Sequence, residues 1–203
     1  MAQYKKSNIK DKIDEAAVHV FANLGFETAK ISDIARSAQV SVGNIYTYYK
    51  GKEEIFYEVV PQSFLDELRN LIYNKIFSAN EVILNSNNDV NAFWLLNETY
   101  IEFMIGNREK ILILLSGSQG TKYENIKEEL IDFLLNTVKE QYKVGYEKVS
   151  KQGKSLLIFK ILYEKLIDLI VNVLRESKTV DEAKQFLEIV NKYHLFGITS
   201  LFK

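Results

Sequence analysis

Residues 31–49 read ISDIARSAQVSVGNIYTYY, and their spacing decides the fold. Ile31, Ile34, Ala35 and Ala38 recur at intervals of three and four, one face of a short helix. Gln39-Val40-Ser41 interrupts that period, and a second short helix fits Val42 to Tyr49 with Ile45 and Tyr49 as its apolar positions. Two short helices about a tight turn have the length of a helix-turn-helix. Ala35 is small where the two must approach closely, and Val40 plugs the turn into the core. Ser41, Val42, Gly43, Asn44, Tyr46, Thr47 and Tyr48 are left around the outer face and leading end of the second helix. Short hydrogen-bonding side chains with a glycine suit a helix end that enters a major groove. Tyr46 and Tyr48 can reach phosphates or thymine methyls, and Lys52 can meet a phosphate at the start of the next helix. The plainer readings are packing aromatics and a solvated charge.

Working outward, Ile9, Ile13, Ala16, Ala17, Val20, Phe21 and Leu24 form one stripe of a preceding helix, and Gly25 follows as a C-terminal cap. Past Gly51 a long helix is expected to about Phe77, with Glu53 and Glu54 at its positive end and a kink at Pro61. Asn85-Ser86-Asn87-Asn88-Asp89 reads as a loop. Helices are expected at 90–105, 107–116, 122–150, about 154–177 and 180–202, with breaks at Gly106-Asn107 and Gly117–Gly120. Thr179-Val180-Asp181-Glu182 is a capping-box pattern for the last helix, whose stripe runs from Ala183 through His194 to Leu201. The helix before it is apolar nearly all round, so one side can cover its own chain while the other asks for a second subunit.

With 47% hydrophobic residues and one proline in 203, the chain can build an all-helical core. It has no cysteine, its two histidines (His19 and His194) are far apart, and no phosphate loop, nucleophile elbow or H-E-x-x-H occurs, which argues against an enzyme, a metal site or a cofactor. His19 lies off its helix's stripe and is expected at the surface, while His194 is expected at a dimer seam. No apolar run follows the first lysines as in a signal peptide. Four charges interrupt the most apolar stretch, Leu156 to Leu174, so no membrane span and a cytoplasmic, nucleoid-associated protein are expected. Residues 1–52 carry eight Lys/Arg against five Asp/Glu, a local +3 within a net charge of −1. Such concentrated charge can draw phosphate.

The segment Gly25–Phe56, GFETAKISDIARSAQVSVGNIYTYYKGKEEIF, resembles the N-terminal signature of the tetracycline-repressor (TetR) family. It keeps Gly25, Phe26, Ile31, Ile34, Ala35, Ala38, Val40, Ser41, Gly43, Tyr46, Lys52 and Glu53 in the family's register. Lys30 stands where the family has Thr or Ser, so the usual side-chain cap is missing; Lys30 and Ser32 join the candidate DNA contacts instead. Gln39 replaces the turn glycine and must tolerate a left-handed backbone. Asn44 and Tyr48 replace Thr and His, changes expected to alter which operator is read, and Tyr49 falls on a core phenylalanine position.

The resemblance implies a helix-turn-helix domain at 1–51, with the motif at about 30–49, and a helical effector-binding and dimerisation domain at 52–203, nine helices in all. It also implies a repressor that binds a near-palindromic double-stranded operator as a homodimer through the last two helices, and that responds to a small apolar or amphipathic effector. Leu68, Trp94, Asn97, Glu98, Ile101, Phe133 and Tyr163 are the candidate effector contacts, and a buried Glu98 would favour a cation. The same aromatic positions could equally be solid core. Two rivals stand beside this reading. One is a constitutive architectural DNA-binding protein without a pocket, and the other a helical enzyme or adaptor with an incidental motif.

Overall fold

The computed structural model describes residues 2–84, 90–143, 147 and 157–201, and every regular element among them is helical. In chain order these are α1 (Ala2–Thr28), α2 (Ile31–Ala38), α3 (Val42–Tyr48), α4 (Lys52–Val59), α5 (Gln62–Leu84), α6 (Val90–Gly106), α7 (Arg108–Ser116), α8 (Ile126–Gln141), α9 (Leu157–Glu176) and α10 (Val180–Leu201). The helix expected from Gly51 to Phe77 is divided at Val60-Pro61. Val60 leaves helical backbone (φ −125°, ψ 70°), as a residue before proline is pushed to do, and Pro61 has no N–H to continue the ladder. Counted as one bent helix, α4 and α5 give the nine helices expected among the described residues. The expected loop at 85–89 and the end of the helix expected to run to residue 150 lie outside those residues. No described helix is long and apolar enough to cross a membrane.

Contacts divide the chain into two compact units, Met1–Asp66 with Arg108–Ile126, and Glu67–Asn107 with Lys127–Lys203. In the first, α1 packs against α2, α4 and α7, burying Ile13, Ala17 and Phe21 completely. Phe21, Phe26 and Phe56 meet edge-on or tilted, with centroids 5.1 to 5.9 Å apart, and Tyr57 and Tyr123 extend the cluster. The cap expected at Gly25 is a positive-φ break (φ 72°, ψ 161°) near the end of α1. It lets the Phe26 N–H reach the Gly117 carbonyl at 2.8 Å. A Cβ on Gly117 would stand 3.2 Å from the Phe21 carbonyl oxygen and 3.3 Å from the Gly25 Cα, so two backbones touch where only glycines fit comfortably.

In the second unit α10 packs on both α6 and α9. Its start is held as expected, with the Thr179 hydroxyl accepting the Glu182 N–H at 3.1 Å; the Glu182 carboxylate takes the Lys178 N–H at 2.7 Å. Helix α9 buries Phe159, Tyr163, Ile167, Ile170 and Leu174 while leaving Leu157, Ile158, Ile161 and Leu169 exposed. Helix α10 leaves Phe186, Ile189 and Tyr193 bare on one side, the last two 62% and 73% exposed. A large apolar face therefore remains uncovered on these two helices in the single chain.

Candidate nucleic-acid interface

Helix α2 begins after Lys30, whose extended backbone (φ −113°, ψ 152°) presents its N–H to the Asp33 carboxylate at 3.0 Å. An ammonium has no lone pair, so Lys30 itself cannot cap, and Asp33 supplies a partial substitute. The helix ends at Gln39 in the left-handed region (φ 56°, ψ 41°), as the loss of the turn glycine demanded. The N–H groups of Gln39 and Val40 close on the Arg36 and Ala35 carbonyls at 3.2 and 3.0 Å. Helix α3 is capped by the Ser41 hydroxyl, which accepts the Asn44 N–H at 3.1 Å. Its inward face is Ile45, fully buried, followed by Tyr49 as the C-terminal cap.

Tyr49 also fixes the end of α3. Its hydroxyl donates to the Asp14 carboxylate of α1, which Lys10 grips at 2.9 Å while reaching Glu58 of α4 at 2.5 Å. Burial first, and then the bond to Asp14, push the phenol well above its ordinary pKa, so it stays protonated. The sequence reading had placed Tyr49 in the core without its polar anchor. Asp14, beside the buried Ile13 on a helix face directed inward, was the available signal.

What remains outward is the set read from the sequence. Lys30, Ser32, Ser41, Val42, Gly43, Asn44, Tyr46 and Thr47 are exposed, and Tyr48 is half-buried. Tyr46 keeps 56% of its surface, more than packing within the chain would leave. The Thr47 hydroxyl donates to the Gly43 carbonyl at 3.2 Å, leaving it free only to accept. At Gly43 a Cβ would meet nothing nearer than the Ser41 hydroxyl at 3.7 Å, and the backbone is not left-handed. The fold does not require a glycine there.

Lys52 has partners within the chain that the sequence did not reveal. Its ammonium reaches the carbonyls of Phe26, Ala29 and Glu27 at 2.5, 2.9 and 3.3 Å and lies 4.3 Å from the Phe26 ring centre. These bonds can engage all three of its protons and tie the start of α4 to the end of α1.

The expected effector residues are scattered by burial. Leu68, Ile101 and Tyr163 are buried, Phe133 is half-buried, and Asn97 is 5% exposed with its carbonyl oxygen unpartnered. Trp94 lies outside the residues whose side chains are described. Glu98 is exposed and paired with Lys184 at 3.3 Å, so it offers no buried charge for a cation. His19 is exposed as expected, bonded to Glu109 at 3.0 Å. His194 is half-buried with its ring 5.2 Å from that of Tyr163, turned toward its own unit. Lys75 and Asn191, 2.6 Å apart, were missed. The signal was that Lys75 falls two turns beyond Leu68, on an apolar face.

The family described as "Bacterial regulatory proteins, tetR family" matches residues 13–59. The probable HTH-type transcriptional regulator YttP of Bacillus subtilis is 39% identical over 59 residues, 29% of this chain and 28% of that protein. The biofilm operon icaADBC HTH-type negative transcriptional regulator IcaR of Staphylococcus aureus is 25% identical over 149 residues, covering 72% of this chain and 74% of that one. A TetR-like transcriptional regulator from Rhodococcus sp. RHA1 superposes with a TM-score of 0.52 at 19% identity, over 93% of this chain and 96% of that one, and speaks for the fold alone.

Proposed function

Because this chain belongs to the tetR family of bacterial regulatory proteins, we propose that it is a ligand-responsive repressor that binds a near-palindromic operator as a homodimer. The observation that carries the reading is the construction of α3. Ile45 is buried beneath it and Tyr49 is bonded to Asp14, while Gly43, Asn44 and Tyr46 stay bare on its outer side. A helix held rigidly by one face with its polar tip free is what a major-groove reader needs.

In this proposal residues 1–51 form the DNA-binding domain and 52–203 the effector and dimerisation domain. Ser41, Val42, Gly43, Asn44, Tyr46, Thr47 and Tyr48 face base edges and the nearest phosphates, and Lys30 and Ser32 meet the backbone. Lys52 positions these elements without touching DNA. The bare apolar faces of α9 and α10 pair with their copies in a second chain, and two-fold symmetry then sets the two α3 helices about one DNA turn apart. A small molecule bound in the larger domain weakens DNA binding to the extent that it prefers a spacing of the readers that the operator does not fit. Such a protein works in the cytoplasm, on the nucleoid.

A mobility-shift titration with duplexes drawn from the flanks of its own gene tests the reading. A specific complex containing two chains, formed well below the concentration at which random duplex is bound, is expected. Equal affinity for every duplex sinks it.

A further inference from the structure

The second unit holds a half-buried lysine that no described carboxylate neutralises. Lys75, on α5, directs its ammonium to one hydrogen-bond acceptor, the Asn191 amide oxygen of α10, at 2.6 Å. It also stands 3.9 Å from the centre of the Tyr100 ring of α6. Among the described residues no carboxylate lies within ion-pair distance of it; three acids of this unit pair elsewhere, Glu98 with Lys184, Glu129 with Arg69, and Asp168 with Lys127 and Lys165. Burial pulls the Lys75 pKa down to about 7, because it disfavours the charged form.

Around this ammonium the unused groups are mostly donors. The amide nitrogen of Asn191 is buried without a partner. Tyr100 and Tyr163 are buried, and no hydrogen bond joins either hydroxyl to another described residue. His194 faces Tyr163 at 5.2 Å between ring centres, and burial, followed by the charge of Lys75, lowers its pKa to about 4, so it is neutral at physiological pH. Lys75, Asn191 and His194 are each only partly covered, although burial displaces the pKa values of both titratable members. A cation with two free protons, an orphan amide N–H2 and two phenols, set among aromatic rings, make up the donor set that a carboxylate with an apolar body satisfies.

We infer that the effector of this regulator is a small organic carboxylate, its charge received by Lys75 and Asn191 and its apolar body lying against Tyr100 and Tyr163. The inference rests on the ligand-responsive reading above and names the chemistry of its ligand. A bland alternative is a lysine that merely sheds its proton and caps Asn191. That alternative leaves the buried Asn191 amide nitrogen without a partner, which costs free energy that a bound acceptor would recover.

The test uses the full chain with benzoate and octanoate as probes, and benzamide and octanamide as their neutral counterparts, by calorimetric titration at pH 8 in two buffers of different ionisation heat. At least one carboxylate is expected to bind at least tenfold more tightly than its amide. It should take up close to one proton per site as it returns the charge to Lys75. Lys75→Met should lower that affinity at least tenfold and abolish the proton uptake. Asn191→Asp, nearly isosteric, supplies a built-in carboxylate, and it should block the probe while raising the thermal midpoint. Amides binding as well as acids, binding without proton uptake, binding unchanged in Lys75→Met, or no binding by either acid would each overturn the inference. A mobility shift of the ligand-free chain separates the two readings. Operator binding without carboxylate binding defeats only the ligand assignment, whereas absent operator binding defeats the regulator itself.

Discussion

Replacing Gly43 by alanine should have opposite effects in two assays. An added methyl at this position would meet only the Ser41 hydroxyl at 3.7 Å, ordinary contact, and the backbone carries no positive φ. Within the protein the substitution therefore brings only the helix-forming advantage of alanine, about 0.5–1 kcal/mol in a helix interior and less in a first turn. For a chain of this size that is a rise of about 1–4 °C in Tm. On DNA the same methyl stands at the leading end of α3, where the proposed contact is closest. Forcing a methyl into a packed interface costs about 1–3 kcal/mol per site, as in overpacked cores. Two subunits double it, so operator affinity should fall about 30-fold or more. Thermal denaturation and fluorescence anisotropy at one fixed salt concentration read both quantities. A raised Tm with unchanged operator affinity would refute the reasoning, because α3 would then not approach a groove with this end.

Gln39→Gly should stabilise the chain by about 0.5–1 kcal/mol in chemical denaturation. The left-handed backbone costs a side chain about 1–2 kcal/mol, and glycine's greater unfolded entropy returns part of it; a loss of stability would contradict the observed turn. Lys52→Met should remove charge-assisted bonds to three carbonyls and destabilise by about 1.5–3 kcal/mol, while the slope of log affinity against log salt stays as it was. Were Lys52 a phosphate contact, the slope would shrink by about 0.9 per subunit, and Tm would hardly move. Ile189→Glu places a charge on the bare face of α10. Sedimentation should show a monomer with weakened operator binding, and an intact dimer would remove α10 from the proposed seam.

The helix-turn-helix was legible because two independent features agree there. The apolar period of Ile34, Ala35, Ala38 and Ile45 marks what is buried, and the missing glycine at Gln39 marks a left-handed turn; both are found, while the cap that Ser41 gives α3 was not read from the sequence. The break at Val60 was read as a kink, since a single proline does not reveal whether a helix bends or stops. Side chains with two plausible roles were less legible. Lys52 sits where a phosphate contact is expected, but only the folded chain brings the carbonyls of Phe26, Glu27 and Ala29 to its ammonium. Glu98 shares α6 with Asn97, and one residue of helical rotation separates a buried amide from an exposed acid paired with Lys184. Lys75 escaped notice because a lysine in a helix is ordinarily solvated. Its partner Asn191 lies far along the chain, and period alone cannot show that the two meet.

The chain contains no cysteine, so a single one introduced at exposed Lys50, just beyond α3, can carry an iron chelate that cuts nearby DNA. Bound to a duplex selected from a random pool, the labelled protein should cut in two clusters related by a two-fold axis, about one helical turn apart. A lone cluster, or cutting spread evenly along the duplex, would contradict the account of α3 as the paired reader of an operator.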